Sequence, residues 1–96
     1  MADLTADDVQ AALIELPEWR IEGETIQKEF CFKTFRAAMS FVNQVAGIAS
    51  EARHHPDILV RYNRVTLTLT THDVGGLTDK DIAFAREVER QRGEND

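Results

Sequence analysis

The chain has little with which to cross-link itself. Its only cysteine is Cys31, so no disulfide can form within the chain, and the domain has to be stable without one. Free thiols are typical of reducing compartments, and we therefore expect a cytoplasmic protein. With 96 residues, the chain has the size of one small domain, 1–96. A domain this small buries a modest core, so we expect either economical packing or association into an oligomer.

Two further absences exclude classes of function. No apolar run approaches the roughly 20 residues that a membrane-spanning helix needs, and the acidic segment Met1–Asp8 is unlike a signal peptide. The net charge is −6, with acids in excess at both ends of the chain and a slightly basic middle. We therefore expect no membrane partner and no direct binding to nucleic acid, because the latter requires a basic face.

Periodicity and capping residues predict seven elements in the order αββαββα. Helices follow Thr5, Thr34 and Thr78, each of which can cap a helix N-terminus. The strongest helical stripe consists of Phe35, Ala38, Met39, Val42, Val45, Ala46 and Ala49. Strand-forming runs flank turns at Gly23-Glu24 and Asn63-Arg64. Because hairpins join the strands, the predicted fold class is α+β, a two-layer domain with a four-stranded antiparallel sheet and three helices on one face.

The alternating pattern of the second hairpin predicts how its strands pair. With Asn63-Arg64 at the tip, Val60 faces Leu67 on the apolar side, and the threonines of the second strand line the other side. A shift of one residue would mix apolar and polar side chains on each face, which favours this register. The same register places His55 directly opposite His72 on the open polar face, with Cβ atoms about 5 Å apart.

All three histidines are therefore expected at one end of the hairpin, on the open face, since His54 adjoins His55. Two chemistries suit such a cluster. A catalytic zinc site uses three imidazoles and an open position, but adjacent residues of an extended chain point to opposite sides, which disfavours His54 and His55 as joint ligands. Proton transfer between imidazoles is favoured instead, with Asp57, Asp73 or Asp81 available to orient them.

At these positions the sequence resembles the signature of the pterin-4a-carbinolamine dehydratases, also known as dimerisation cofactors of a homeodomain transcription factor. The signature runs from His54-His55-Pro56 over five residues to Tyr62, nine more to His72 and eight more to Asp81. The resemblance implies a hydro-lyase that converts 4a-hydroxytetrahydropterin to quinonoid dihydropterin by histidine acid–base catalysis, in tetrahydrobiopterin recycling. It also implies that no metal and no organic cofactor is needed.

The resemblance further implies roles for particular residues. His54, His55 and His72 form the catalytic group, in which His54 and His72 transfer protons and His55 chiefly holds the pterin. The implied substrate-binding residues are Arg53, Thr70, Thr71, Asp73 and Asp81. Members of the family assemble as homodimers through sheet edges and as homotetramers through helices. A protein partner, such as a hydroxylase or a regulatory factor, is a further implied possibility.

Two positions depart from the family's pattern. Many members have an acid where this chain has Ser50, with Glu51 one position later, and Asp or Asn where this chain has Arg53. The three histidines are unaffected, so the departures concern the groups around them. The alternative that the sequence leaves open is a non-catalytic dimerisation or assembly partner of the same fold, although a pure scaffold needs none of the histidines.

Overall fold

The computed structural model describes residues 3–95, so that Met1, Ala2 and Asp96 of the predicted domain 1–96 lie outside the described residues. Within that range the chain forms three helices and four strands in the predicted order αββαββα. Their bounds are α1 Ala6–Leu13, β1 Arg20–Glu22, β2 Thr25–Cys31, α2 Phe35–Ala52, β3 Asp57–Arg61, β4 Arg64–Leu69 and α3 Asp79–Asn95. None of these helices is long and apolar enough to cross a membrane.

The first two helices begin at threonine caps, as the sequence predicts. The hydroxyl of Thr5 accepts a hydrogen bond from the Asp8 N–H at 3.1 Å, and the Asp8 carboxylate accepts one from the Thr5 N–H at 3.0 Å. This reciprocal pair is a capping box. At α2, the hydroxyl of Thr34 accepts from the Ala37 N–H at 3.0 Å. Local side-chain chemistry therefore sets where each of these helices starts.

The buried stripe of α2 differs from the predicted one. Phe35, the first residue of the helix, is 51% exposed, whereas Phe41 and Ile48 are buried. The helix carries apolar residues on two adjacent stripes, and contacts with the sheet decide between them. The ring of Phe41 lies 4.7 Å from that of Phe30 and 5.2 Å from that of Phe32, which turns this side of α2 towards β2.

One antiparallel sheet contains all four strands, in the spatial order β1-β2-β4-β3. The side chains that the two central strands turn towards the helices are Ile26, Lys28, Phe30, Val65, Leu67 and Leu69. All six are at most 4% exposed, and the apolar ones form one core with buried residues of the three helices. The predicted two-layer α+β fold, with its helices on one face of the sheet, is thereby confirmed.

The predicted register of the second hairpin is wrong by two residues. Arg61 pairs with Arg64, so Tyr62 and Asn63 occupy the tip, and Tyr62 has a left-handed backbone with φ 55°. Asn63 is held at the end of β2, because its side-chain amide donates to the Phe32 carbonyl at 2.7 Å while its own carbonyl accepts from the Phe32 N–H at 2.9 Å. A shift of two residues keeps every side chain on its predicted face, so alternation could not detect it.

A lysine occupies the middle of the apolar face of the sheet. The ammonium group of Lys28 donates to Glu89 Oε2 at 2.8 Å and to the Pro17 carbonyl at 3.0 Å. The indole Nε1 of Trp19 donates to the same Glu89 oxygen at 2.9 Å. A buried charge needs such partners. The network ties the second half of α3 to β2 and to the segment that follows α1.

Glu89→Ala is expected to lower the free energy of unfolding by about 3 kcal/mol, because the Lys28 ammonium and the Trp19 N–H lose their shared acceptor in a buried place. Glu87→Ala is the matched control on the same helix; Glu87 bonds the exposed Arg90, and its loss should leave stability close to that of the unmodified protein. Urea denaturation measures both. Equal stabilities for the two variants would contradict the structural role of the buried pair.

Candidate active site

All three histidines line one cavity near the end of β4. The cavity has a volume of about 180 Å³ and lies where the end of α2, the end of β4 and the start of α3 meet. Its lining residues are Arg53, His54, His55, Thr71, His72, Asp73 and Lys80. The histidines therefore lie together, although the backbone conformation and the strand register that bring them together differ from the predicted ones.

His54 reaches the cavity from the end of α2. Arg53, directly after the helix, has a left-handed backbone with φ 54° and ψ 40°, and the N–H groups of Arg53 and His54 both bond the Ala49 carbonyl. A residue in this conformation ends a helix and reverses the chain, a position where glycine is usual. The His54 ring consequently packs edge-on against Phe84 of α3, and its side chain is 10% exposed. The prediction that His54 lies on the open face is wrong.

A buried carboxylate holds the His54 ring. Nε2 of His54 lies 2.6 Å from Oδ1 of Asp81, and Asp81 is fully buried. Oδ2 of Asp81 accepts hydrogen bonds from the Thr71 hydroxyl at 2.8 Å and from the backbone N–H of Thr78 at 3.0 Å. The hydroxyls of Thr71 and Thr78 are themselves 2.8 Å apart. These four buried side chains therefore satisfy one another inside the protein.

The start of α3 places Asp81. The hydroxyl of Thr78 accepts from the Lys80 N–H at 3.3 Å, and its backbone N–H donates to the Asp81 carboxylate three residues later. The spacing of Thr78 and Asp81 in the sequence predicts this cap, and the prediction is confirmed. A carboxylate in the first turn also suits the positive end of the helix dipole. The capping bond thus orients the carboxylate that His54 contacts.

His55 and His72 are exposed, and they are not the opposed pair that the sequence predicts. In the observed register of β3 and β4, position 55 would face Thr70 if the pairing continued. Thr71 instead pairs with Gly76 and closes a tight turn, which carries His72 to the cavity. The two-residue shift of the hairpin is the reason for the difference.

The predicted substrate-binding residues fall into two groups. Arg53 and Asp73 are exposed residues of the cavity lining. Thr70 does not line the cavity, because its hydroxyl donates to a backbone carbonyl of the first hairpin at 2.9 Å. Thr71 lines it, but its hydroxyl is bonded to Asp81, and Asp81 itself is fully buried.

A larger cavity of about 360 Å³ adjoins the first, between α2 and α3. Its lining residues are Ile48, Glu51, Ala52, His54, Lys80, Ala83, Phe84 and Glu87. His54 and Lys80 line both cavities. A hydrogen bond from Arg90 lowers the pKa of Glu87 to about 2, so this carboxylate is ionised at neutral pH. Glu51 lines the same cavity, so both Glu51 and the ionised Glu87 lie on this side of His54.

Sequence reasoning missed two residues of the site. Lys80 lines both cavities, and no motif in the sequence singles it out. Thr78 is predicted only as a helix cap, whereas its hydroxyl also reaches Thr71; a cap three residues before a candidate carboxylate is a signal that could have located it. Among residues 3–95, no group of three or more His, Cys, Asp or Glu side chains is placed to hold a metal ion.

Fold and site together define an α+β domain with a buried histidine–aspartate pair beside two exposed histidines. The family model described as pterin 4 alpha carbinolamine dehydratase matches residues 2–91. A protein of Thermomicrobium roseum, named provisionally as a pterin-4-alpha-carbinolamine dehydratase, is 52% identical over 88 residues, which are 92% of this chain and 95% of that protein. One of Acidobacterium capsulatum with the same provisional name is 48% identical, covering 93% and 97%. The chain belongs to the pterin-4a-carbinolamine dehydratase family.

Two solved structures share the fold. A protein of Brucella melitensis described as a transcriptional coactivator/pterin dehydratase superposes with a TM-score of 0.88 at 38% identity, covering 93% of this chain and 97% of that one. A pterin dehydratase-like protein described as a RuBisCO assembly factor in the alpha-carboxysome gives a TM-score of 0.65 at 25% identity, covering 76% and 87%. Proteins with this fold therefore carry descriptions of two kinds, enzymatic and assembly-related.

His54→Ala is expected to lower the free energy of unfolding by about 2–3 kcal/mol, because the buried carboxylate of Asp81 loses the partner of one oxygen. His72→Ala removes an exposed side chain from a turn and should change stability by less than about 0.5 kcal/mol. Denaturant titrations of the two variants give the comparison. If His54→Ala proved as stable as His72→Ala, the buried pair would not hold this end of the domain together.

Proposed function

We propose that the protein dehydrates a 4a-hydroxytetrahydropterin to quinonoid dihydropterin by histidine acid–base catalysis. The observation that carries the proposal is the cavity in which three imidazoles meet, one of them bonded to a buried carboxylate. Imidazoles are suited to giving and taking protons near neutral pH. Membership of the family supports the reaction and the substrate class. We place this activity in the cytoplasm, in tetrahydrobiopterin recycling.

The reaction removes one molecule of water from the substrate. A protonated imidazole gives its proton to the 4a-hydroxyl, the C4a–O bond breaks, and water leaves. A neutral imidazole takes the proton of N5, and the electron pair released forms the N5=C4a double bond. One proton is given and one is taken, so solvent exchange returns both imidazoles to their starting states. We assign the two transfers to His54 and His72, and contact with the pterin ring to His55.

The remaining residues of the site divide between substrate contact and support. Arg53 and Asp73 are two charged, exposed groups of the cavity that can bond the amide and amine edge of a pterin. Asp81 and Thr71 act by holding His54. Thr70 acts from further away, because its bond to the first hairpin fixes the end of β4.

The protein is expected to accelerate the decay of 4a-hydroxytetrahydropterin that an aromatic amino-acid hydroxylase generates, followed by absorbance. His72→Ala should lose roughly 10²–10⁴-fold in turnover, because the variant folds normally but lacks one proton-transferring group. Cys31→Ser, an exposed change on β2, is the control and should keep the full rate. Decay at the spontaneous rate with folded protein would contradict the dehydratase, and full activity of His72→Ala would remove His72 from the mechanism.

A non-catalytic assembly role is the second candidate. The likeness to the pterin dehydratase-like protein described as a RuBisCO assembly factor favours it. The decay assay separates the two candidates, because a pure assembly partner leaves the spontaneous rate unchanged. Three clustered imidazoles favour the enzyme, since a scaffold gains nothing from them.

We also propose that two copies of the chain form a homodimer by pairing their β3 strands. β3 is an edge strand of the described sheet, and its side chains Ile58 and Leu59 are 37% and 54% exposed. The outer edge of such a strand presents backbone N–H and C=O groups that can pair with a strand of another chain. Its sequence is complementary to itself. Antiparallel pairing about Leu59 sets Asp57 against Arg61 of the partner subunit at both ends, and Ile58 against the partner's Val60. A homotetramer needs a second contact, which the resemblance places on the helices.

Arg61→Asp is expected to weaken the homodimer at least about tenfold, because two like charges then face each other at each end of the paired strands. The double change Asp57→Arg with Arg61→Asp restores opposite charges and should recover the affinity. Lys33→Asp, an exposed change of the same charge outside the strands, is the control. Sedimentation equilibrium measures the association. A double variant as weak as Arg61→Asp, or an unmodified protein that stays monomeric, would contradict the pairing.

A further inference from the structure

The buried polar group behind His54 determines the protonation of its ring as well as its position. We infer that Asp81, supported by the hydroxyls of Thr71 and Thr78, holds His54 as the tautomer with its proton on Nε2. Nδ1 is then the nitrogen that takes the proton from the substrate. Thr71 and Thr78 are positioning residues. The inference rests on the proposed dehydratase function and deepens it by naming the basic atom.

Hydrogen-bond donors and acceptors around Asp81 admit one consistent arrangement. The Thr71 hydroxyl has a single proton, which it donates to Oδ2 of Asp81 at 2.8 Å. The Thr78 hydroxyl, 2.8 Å from that of Thr71, therefore donates to it. The Thr78 oxygen accepts in turn from the backbone N–H of Lys80 at 3.3 Å. Each hydroxyl accepts one bond and donates one, and the chain ends on the carboxylate.

The same reasoning extends to the imidazole. Oδ2 of Asp81 accepts from the Thr71 hydroxyl and also from the Thr78 N–H, so Oδ2 carries no proton. Oδ1 lies 2.6 Å from Nε2 of His54, and one proton joins these two atoms. A carboxylic acid is a much stronger acid than an imidazolium, so this proton belongs to the nitrogen and Oδ1 accepts. Nε2 therefore carries a proton. In a neutral imidazole only one ring nitrogen does, so Nδ1 has the lone pair.

Nδ1 of His54 is free to react. It has no hydrogen-bond partner among residues 3–95. Within the described part of the chain, the only buried side-chain nitrogen or oxygen without a hydrogen-bond partner is Nε of Arg92. Nδ1 of His54, which has no partner, is therefore not fully buried. Nδ1 therefore reaches solvent, in a ring that lines both cavities. Neutral His54 is thus the base, and the Asp81 carboxylate stabilises the imidazolium once the proton has been taken. His72 is left as the acid.

Asp81→Asn tests the inference, because the surroundings dictate how the new amide must sit. The backbone N–H of Thr78 always donates, so the amide oxygen has to take the place of Oδ2. The amide NH₂ group then faces His54, whose Nε2 must accept, and the proton of the neutral ring moves to Nδ1. The tautomer is expected to reverse, and turnover to fall by roughly 10²–10⁴-fold, because no lone pair faces the substrate.

The tautomer is read from the ¹⁵N chemical shifts of the imidazole nitrogens, recorded on the full-length labelled protein at a pH where the rings are neutral. The unmodified protein should show His54 protonated on Nε2, and Asp81→Asn should show it protonated on Nδ1. The exposed rings of His55 and His72 should not change and serve as internal references. His54 protonated on Nδ1 in the unmodified protein, or on Nε2 in Asp81→Asn, would overturn the inference.

Thr71 allows a second test that does not depend on an amide. Thr71→Val keeps the shape but removes the hydroxyl, and should lower kcat by roughly 10–100-fold with KM nearly unchanged. Thr71→Ser restores the hydroxyl and should recover most of the rate. Thr66→Val, on the open face of β4, is the matched control. A loss confined to KM, or equal kcat in Thr71→Val and Thr66→Val, would overturn the positioning role.

The two kinds of measurement separate failure of the inference from failure of the proposed function. A protein without dehydratase activity whose His54 is protonated on Nε2 would overturn the function while leaving the tautomer in place. An active dehydratase with the proton on Nδ1 would overturn the assignment of the base while leaving the function in place.

Discussion

The buried contact between Nε2 of His54 and Oδ1 of Asp81 joins the three elements that build the site. His54 follows α2, Asp81 lies in the first turn of α3, and Thr71, bonded to the same carboxylate, follows β4. A buried carboxylate that lost these partners would be costly, so the three element ends cannot separate without a large loss of stability. The geometry of the candidate active site and the packing of this end of the domain therefore depend on one interaction.

Two polar networks fix α3, one at its first turn and one in its second half. Asp81 anchors its first turn, and Glu89 in its second half accepts from Lys28 and Trp19. Between them, Phe84 and other buried side chains pack into the core. A helix fixed at two points along one side cannot rotate about its axis, and such a rotation would carry Asp81 away from His54. The buried lysine, through its contact with Glu89 in the second half of the helix, thus supports the histidine geometry.

Features that depend on local chemistry could be predicted from the sequence: the threonine caps, the face on which each strand residue lies, and the cap that orients Asp81. The hairpin register could not, because the contact between Asn63 and Phe32 that decides it joins residues 31 positions apart, and a two-residue shift leaves the alternation unchanged. The inward turn of His54 depends on the left-handed backbone of Arg53. Asp or Asn, which the resemblance expects there, adopts that conformation more readily than Arg. An arginine at this position is therefore no local signal of the turn.

A structure of the protein bound, in the absence of oxygen, to a tetrahydropterin, which keeps the proton on N5 but lacks the 4a-hydroxyl and cannot be dehydrated, tests most directly whether this cavity performs the chemistry on the pterin ring. We expect the ring to lie among His54, His55 and His72, with its N5 within about 3 Å of Nδ1 of His54. A ring bound outside this cavity, or bound within it with N5 turned away from Nδ1, would contradict the role of His54 as the base.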